Sequence, residues 1–480
     1  MLIIINLKFI KKLLNKLNLL DNKLNYKMII KNKKVEGIIA EIIDQYAYAD
    51  KSDRPWIIGF SGGKDSTVLL MLVWIALQRI RQEMPFPFQL KRKVYVVCND
   101  TMVENPIIAN YVEDVLVKIT EAARDQDLPI FVQKTTPKLE ETFWTNVIGK
   151  GYPVPNNAFR WCTDKLKIRP TSNFLVEQID EKGEAIVLLG TRYDESATRE
   201  RSIRKHEVTG SRLSKHQTTV NTYVYAPIKE MIVDEIWYII NAVKSPWGFD
   251  NNILFRIYAD ASADDYECPT VVVNKEHNSC GQSRFGCWTC TVVKNDKSMS
   301  SLVNNGQNWM EPLLAFRNRL VEGRNISENR MDVRRNKQSA VREDGTNNGT
   351  YTSVYRYEIL KDLLLVQREV QKERPHITLI NNQELIAIQV TWNRDGYFDH
   401  TVGDLYKEIY NKEISTNNIK SLDDTERRIL REVCEEEPGY YHLIDNLIAL
   451  QETKTLMITK YGLHNDVEKR IESFVNDNGL

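Results

Sequence analysis

The sequence predicts an α/β protein: a parallel sheet with helices on both faces, then a short cysteine-rich segment and a mainly helical C-terminal region. Three observations carry this. Short apolar runs alternate with helical periodicity through the first half of the 480 residues. Glycine-rich or polar segments stand at the ends of those runs. Beyond Trp309 the strand pattern gives way to helical periodicity. Strand–helix alternation is the pattern of a parallel sheet covered on both sides.

The first buried strand is Trp56–Phe60, and the helix Thr67–Arg81 follows it. Next come the strand Val94–Asn99, the helix Pro106–Arg124 and the strands Ile130–Lys134 and Ala185–Gly190. A further helix is expected over Val233–Val243. In open sheets of this kind ligands bind beyond the carboxyl ends of the strands. Three polar or Gly-rich segments fall there: Ser61–Ser66, Asn99-Asp100-Thr101 and Gly190-Thr191-Arg192. They imply one shared nucleotide cleft, with Asp100, Gly190 and Arg192 among its lining residues. The chain divides into a basic extension (1–38), a nucleotide-binding domain (39–259), a cysteine segment (260–300) and a helical region (301–480). That last part includes helices at Tyr355–Glu373 and Ser421–Glu436, and an exposed, mobile polar loop at Gly323–Thr350.

Ser61-Gly62-Gly63-Lys64-Asp65-Ser66 is the most informative stretch. Two glycines between a strand and a helix let the backbone approach an anion closely. The helix opens with unpaired N–H groups and the positive end of its dipole. Lys64 adds a point charge for phosphate oxygens. Asp65 suits an anion site only if a Mg²⁺ lies between carboxylate and phosphate. This is not a Walker A loop, which needs four residues between its first Gly and Gly-Lys. Gly59 leaves three, and Asp65 follows the lysine.

Lys+Arg and Asp+Glu each number 65, so any contact with a polyanion must come from a local patch. Thr191–Arg212 offers one, holding Arg192, Arg199, Arg201, Arg204, Lys205, His206 and Arg212. Arg192, at a strand end, could bind pyrophosphate; the others could track a polyanion backbone or form a solvated loop. The first 34 residues carry one acid, Asp21, and leucines at helical spacing, but Lys8, Lys11 and Lys12 break any signal-peptide core. No run is apolar enough to span a membrane. A cytoplasmic protein is expected.

Four of the seven cysteines crowd into one segment: Cys268, Cys280, Cys287 and Cys290. Four thiolates ending in C-x-x-C suit Zn²⁺ or a [4Fe–4S] cluster. A structural zinc site usually pairs two short C-x-x-C hairpins, so a single one leans toward iron–sulfur. Gly281, Gly286 and Pro269 would let the backbone fold around a bulky cofactor, and Arg284 could offset its charge. Cys162 stands among Arg160, Lys165 and Lys167, which would favour its thiolate. It could carry sulfur or attack an activated centre, or be a half-buried cysteine beside a basic surface. Cys98 reads as core and Cys434 as incidental.

These segments together resemble the phosphoadenosine phosphosulfate (PAPS) reductase branch of the PP-loop ATP pyrophosphatases, and within it the DndC family of DNA phosphorothioation proteins. The resemblance rests on SGGKDS (Ser61–Ser66), GKGYPVPNNAFRWCT (Gly149–Thr163), LLGTRYDESATRER (Leu188–Arg201), ECP with CGQSRFGCWTCT (Glu267–Thr291), and YTSVYRYEILKDLL (Tyr351–Leu364). It implies a Rossmann-like adenine nucleotide α-hydrolase fold that cleaves ATP to AMP and pyrophosphate with Mg²⁺. It implies an oxygen-sensitive [4Fe–4S] cluster, and catalytic roles for Lys64, Asp65, Cys162 and Arg192. It also implies DNA as substrate, directly or through a complex. The partners implied are a cysteine desulfurase, an SMC-like ATPase and a small DNA-binding protein. Two features depart from the family: Lys229-Glu230-Met231 replaces a tryptophan-bearing segment after Pro227-Ile228, and residues 1–27 have no counterpart. Three other readings compete. PAPS reduction would need a cysteine after Cys434, and there is none. The other two are tRNA thiolation and a non-catalytic nucleotide-binding scaffold.

Overall fold

The computed structural model describes residues 32–49, 53–83, 90, 92–216, 219–261, 286–397, 400–414 and 430–434, with isolated positions between 440 and 448. Cys268, Cys280, the basic stretch before residue 32 and most of Ser421–Glu436 lie outside them. The strands are β1 (Trp56–Gly59), β2 (Val94–Asn99), β3 (Ile130–Thr135), β4 (Ala185–Leu188), β5 (Leu213–Lys215) and β6 (Thr222–Tyr225). The helices of the first half are α1 (Lys33–Asp44), α2 (Lys64–Glu83), α3 (Pro106–Asp125), α4 (Arg169–Lys182), α5 (Ala197–His206), α6 (Val233–Ala242) and α7 (Asn251–Asp260). Those of the second half are α8 (Lys297–Asn304), α9 (Glu311–Gly323), α10 (Ser353–Glu373), α11 (Asn382–Asp395) and α12 (Val402–Tyr410).

The sheet runs β3-β2-β1-β4-β6-β5. All neighbours are parallel except β5, which pairs antiparallel with β6. Strand order reverses between β1 and β4, so the loop after β1 sits at a topological switch point, where α/β sheets bind ligands.

Side chains alternate across the sheet as strand periodicity demands. Trp56, Ile58, Val94, Val96, Ile186 and Leu188 face one core, shared with the almost fully buried α2. Ile57, Val97, Ala185 and Val187 face the other side, against Phe174 and Leu175 of α4. This two-sided burial makes the strands read as unbroken apolar runs.

Thr191–Arg212 is not a solvated loop throughout. Residues 197–206 are helical, not loop. Ser196 caps the helix by accepting from the Arg199 amide, and Arg204, Lys205 and His206 lie where the dipole favours cations. Strands β5 and β6 were also missed. Both are short, and β5 (Leu-Ser-Lys) carries little apolar signal.

A second core joins residues 143–166 to the helical C-terminal region. Trp144, Trp288 and Phe316 meet with ring centroids 5.8–5.9 Å apart. The Trp144 indole donates to the Leu379 carbonyl (2.8 Å) and that of Trp392 to the Ile148 carbonyl (2.8 Å). The polar stretch 323–350, expected to be an exposed loop, is anchored by buried Arg330. That guanidinium donates to the carbonyls of Gly349, Asn348 and Arg324. Arg356 donates to the carbonyls of Gly149 and Tyr351 and pairs with Asp395 at 3.1 Å. The segment 139–168 therefore belongs to both halves of the protein and carries Cys162 between them.

Glu384, in the first turn of α11, is 1% exposed, and its Oε1 has no hydrogen-bond partner. Burial, with a smaller contribution from the Asp100 charge, raises its pKa to about 7; hydrogen bonds from Thr142 and the Asn381 amide oppose the rise. An acid whose folded pKa lies above its unfolded value binds more protons when folded. Stability therefore falls as pH rises from about 4.5 to about 7 and is level above that. Glu384→Gln is expected to raise the melting midpoint at pH 8 by the equivalent of about 3 kcal/mol and to change little at pH 5. Thermal melts across that range check it.

Candidate functional site

The β1–α2 turn has the tight glycine geometry expected of an anion site. Gly62 has φ +72°, and a Cβ there would lie 2.4 Å from Val112 Cγ2, so only glycine fits. Inside the turn the Ser61 amide donates to Ser66 Oγ (3.3 Å), and Ser66 Oγ donates to the Gly63 carbonyl (3.0 Å). Ser61 and Ser66 thus brace the loop. The Lys64 amide makes a long bond to the Tyr258 hydroxyl (3.4 Å), and the Lys64 ammonium lies 5.4 Å from that ring's centroid. Tyr258, on α7, had no sequence signal.

Asp65 and Arg192 come together across β1 and β4. Arg192 Nε donates to Asp65 Oδ1 at 2.7 Å, and its Nη1 donates to Asp194 Oδ2 (3.2 Å) and the Met231 carbonyl (3.0 Å). Arg192 is 2% exposed, so the guanidinium is held fast. It was expected to meet pyrophosphate; its donors here organise Asp65 and the loop that follows β6. Met231 belongs to the segment that departs from the family; its carbonyl accepts from Arg192, and its side chain is buried in the core on the α2 side of the sheet. Asp65 Oδ2 lies 3.4 Å from the Lys64 ammonium.

Gly190, past the end of β4, packs on this turn. A Cβ would sit 3.0 Å from the Asp65 carbonyl carbon and oxygen and 3.1 Å from the Ser66 nitrogen. Those are backbone atoms and cannot swing aside. Gly190→Ala is expected to displace the start of α2, to cost about 1–3 kcal/mol of stability and to weaken nucleotide binding. Melting curves and calorimetric titration with a non-hydrolysable ATP analogue check both effects.

The end of β2 meets the cysteine segment. Asp100 Oδ1 accepts from the Met102 amide (2.8 Å), and Oδ2 lies 3.6 Å from Lys134. Asp100 thus shapes the loop that presents fully buried Thr101, whose Oγ1 lies 3.4 Å from Cys287 Sγ. Cys287 bridges to Glu104, and the Trp288 amide donates to the Val103 carbonyl (3.1 Å). Lys167 stands 3.9 Å from Glu104 Oε1. The charges of Cys287, Glu104, Cys162 and Cys290 all raise its pKa, that of Cys287 most. Three thiols therefore share one neighbourhood. Burial pushes the Cys287 thiol up to about 12, with Glu104 adding to the rise and Lys167 opposing it.

Cys162 departs from its expected setting. Its pKa is raised by burial and by the Cys290 charge. Arg160 turns to Asn157 (3.0 Å) and Lys165 to Glu141 (3.3 Å), leaving Lys167 as the cation that acts on the thiol. Cys98 is core, as expected, and its pKa is raised to about 12 by burial. Among the described residues no three His, Cys, Asp or Glu side chains are arranged to hold a metal ion. Glu104 carried no signal in the sequence, and the approach of Thr101 and of Lys167, expected beside Cys162, to Cys287 could not be read because it is tertiary.

Residues 55–293, about half of the chain, match the family model described as the phosphoadenosine phosphosulfate reductase domain. This segment is a domain of that family. The reductase-family domain thus contains the PP-loop, Cys162 and all four clustered cysteines. A curated relative, an uncharacterized protein of Methanocaldococcus jannaschii, is 26% identical over 212 residues, 42% of this chain. The chain spans 35% of that relative's length. Among solved structures, the PAPS reductase of Candida auris in a phosphate complex is 14% identical with TM-score 0.26, over 47% of this chain and 87% of that one. The FMN adenylyltransferase of Candida glabrata, with FAD and inorganic pyrophosphate, is 12% identical with TM-score 0.29, over 52% and 80%. Among the described residues no helix is long and apolar enough to cross a membrane.

Proposed function

We propose that this protein is an ATP pyrophosphatase of the PP-loop type that sulfurates the DNA backbone. The observation that carries the reading is the 3.4 Å approach of Cys287 Sγ to Thr101 Oγ1. It puts a thiol-rich centre at the end of β2, one strand from the PP-loop after β1. Nucleotide activation and sulfur chemistry then share one edge of one sheet.

The chemistry follows from leaving groups. A non-bridging phosphodiester oxygen leaves very poorly. In the first step that oxygen attacks the α-phosphorus of ATP, and pyrophosphate departs. In the second, a sulfide-level nucleophile attacks the DNA phosphorus, and AMP departs with the former DNA oxygen. The PP-loop turn would hold the triphosphate, Lys64 would offset charge on the departing pyrophosphate, and Asp65 would meet Mg²⁺ through Oδ2, since Arg192 takes Oδ1. The donor set of Cys287 and Cys290, with Cys268 and Cys280 outside the described residues, suits a [4Fe–4S] cluster. When bound, that group would supply sulfide-level sulfur or electrons, and Thr101 and Lys167 would stand beside it. Cys162, on which the Cys290 charge acts, would be the sulfur carrier: the outer sulfur of its persulfide would attack the DNA phosphorus as AMP leaves, and a second cysteine thiolate would then attack Cys162 Sγ, freeing the phosphorothioate and leaving a disulfide. In this reading a cysteine desulfurase supplies the sulfur, and an SMC-like ATPase and a small DNA-binding protein present the DNA.

Product analysis tests the first half. Purified full-length protein with Mg-ATP and DNA should release AMP and pyrophosphate. Release of ADP and phosphate alone would remove the PP-loop chemistry, and no turnover with intact ATP binding would favour a scaffold.

A further inference from the structure

A cleft of about 490 Å³ opens between α4, α5 and the β5–β6 pair, with Thr191 of the loop after β4 in its wall. That volume suits a nucleotide-sized ligand. Its floor is apolar, formed by Leu175, Leu189 and Val224, with Ala226 beside them. Its rim is basic. Among the described residues that line it, Lys167, Arg199, Arg212, Lys215 and Lys229 carry positive charge, and Glu207 is the one acid.

Several of these cations already have carboxylate partners: Arg199 pairs with Glu195 (3.3 Å), Arg212 with Asp44 (2.5 Å) and Lys229 with Glu207 (2.7 Å). All three pairs are at the surface or only partly buried, where an ion pair contributes about 0–1 kcal/mol. A phosphodiester can replace those carboxylates at little cost. The two ends of the cleft decide what it is for. Thr191 belongs to the loop after β4 that packs on the PP-loop turn. Lys167, at the other end, faces Glu104 beside Cys287. The cleft therefore lies between the loop after β4 and the neighbourhood of the thiols, touching the first through Thr191 and the second through Lys167; among the described residues its lining holds no PP-loop residue and no cysteine.

We propose that this cleft seats the sulfur acceptor, one nucleotide of a DNA strand, with its base on the Leu175–Leu189–Val224 floor and its phosphate at Lys167. This rests on the DNA-sulfuration reading and adds to it the place where the acceptor binds. The arrangement is that of a single-strand site, a basic groove with an apolar surface on which a base lies.

The test uses the full-length protein and a short fluorescein-labelled single-stranded DNA, with affinity read by anisotropy. Ser202→Trp, which fills the cleft from α5, and Lys215→Glu, which reverses a rim charge, should each weaken binding about tenfold or more. Affinity for a non-hydrolysable ATP analogue should stay at the wild-type value. In parallel, photocross-linking of a 5-iododeoxyuridine strand to wild-type protein should map to peptides within 167–175 or 199–216. Wild-type DNA affinity in both variants, or cross-links confined to other regions, would overturn the assignment. An RNA strand that binds more tightly than DNA of the same sequence would overturn it as well. The function reading fails separately: ADP and phosphate as products would sink it whatever the cleft variants do to DNA affinity.

Discussion

Replacing Lys64 with alanine is expected to slow AMP and pyrophosphate formation by about 10²- to 10³-fold while leaving the fold intact. Lys64 is 6% exposed, at the first position of α2, and its ammonium lies 3.4 Å from Asp65 Oδ2. In a water-poor site a fixed cation acts on developing phosphate charge with little screening. Its loss should therefore appear in kcat as well as in KM. Asp65→Ala is a less discriminating probe. Asp65 accepts the 2.7 Å bond from Arg192, and removing it strips a nearly buried guanidinium of its closest carboxylate. Breaking such a pair costs about 3–5 kcal/mol, so that variant mixes folding with chemistry. Lys64→Ala leaves the Asp65–Arg192 pair in place. Parallel melting curves and product assays on the two variants separate the effects. Wild-type rates in Lys64→Ala would show that the turn does not handle phosphate.

Arg317→Ala is expected to destabilise the protein by about 3–5 kcal/mol and to loosen the cysteine segment. Arg317 is fully buried on α9. Its guanidinium donates to the carbonyls of Cys290 (2.9 Å), Lys294 (2.7 Å) and Val293, and to Asn318 Oδ1 (2.9 Å). Arg324 adds bonds to the Thr291 carbonyl (2.9 Å) and the Pro155 carbonyl (3.0 Å). The helical C-terminal region thus clamps the backbone that follows the C-x-x-C. Without Arg317 three carbonyls lose a buried donor. Urea unfolding should show the loss, and mass spectrometry should show faster alkylation of Cys290 than in wild type. Arg317→Lys keeps the charge but not the planar fork and should fall between the two. An unchanged unfolding midpoint and unchanged alkylation would dismiss the clamp.

The first half of the fold was legible because its strands are buried on both faces. Trp56–Gly59 and Ala185–Leu188 read as short apolar runs, and their Gly-rich ends marked the switch point. The antiparallel edge was not legible: Leu213–Lys215 carries little strand signal, and the basic run before it looked like a loop until Ser196 was seen to cap it. The PP-loop was readable because its residues are contiguous. The meeting of Thr101, Glu104 and Lys167 with Cys287 was not, because it depends on a bridge between residues 104 and 287. The raised pKa of Cys162 went unforeseen for the same reason. Its sequence neighbours are basic, but Arg160 and Lys165 turn to Asn157 and Glu141, and burial dominates.

The most direct measurement is mass spectrometry of nuclease-digested DNA from the host, with and without this gene. Phosphorothioate-linked dinucleotides are expected to vanish on deletion, to return with the wild-type gene, and to fail to return with Lys64→Ala or Cys287→Ser. Phosphorothioate that persists after deletion would contradict the DNA-sulfuration reading. So would none in either strain while the gene and its partners are expressed.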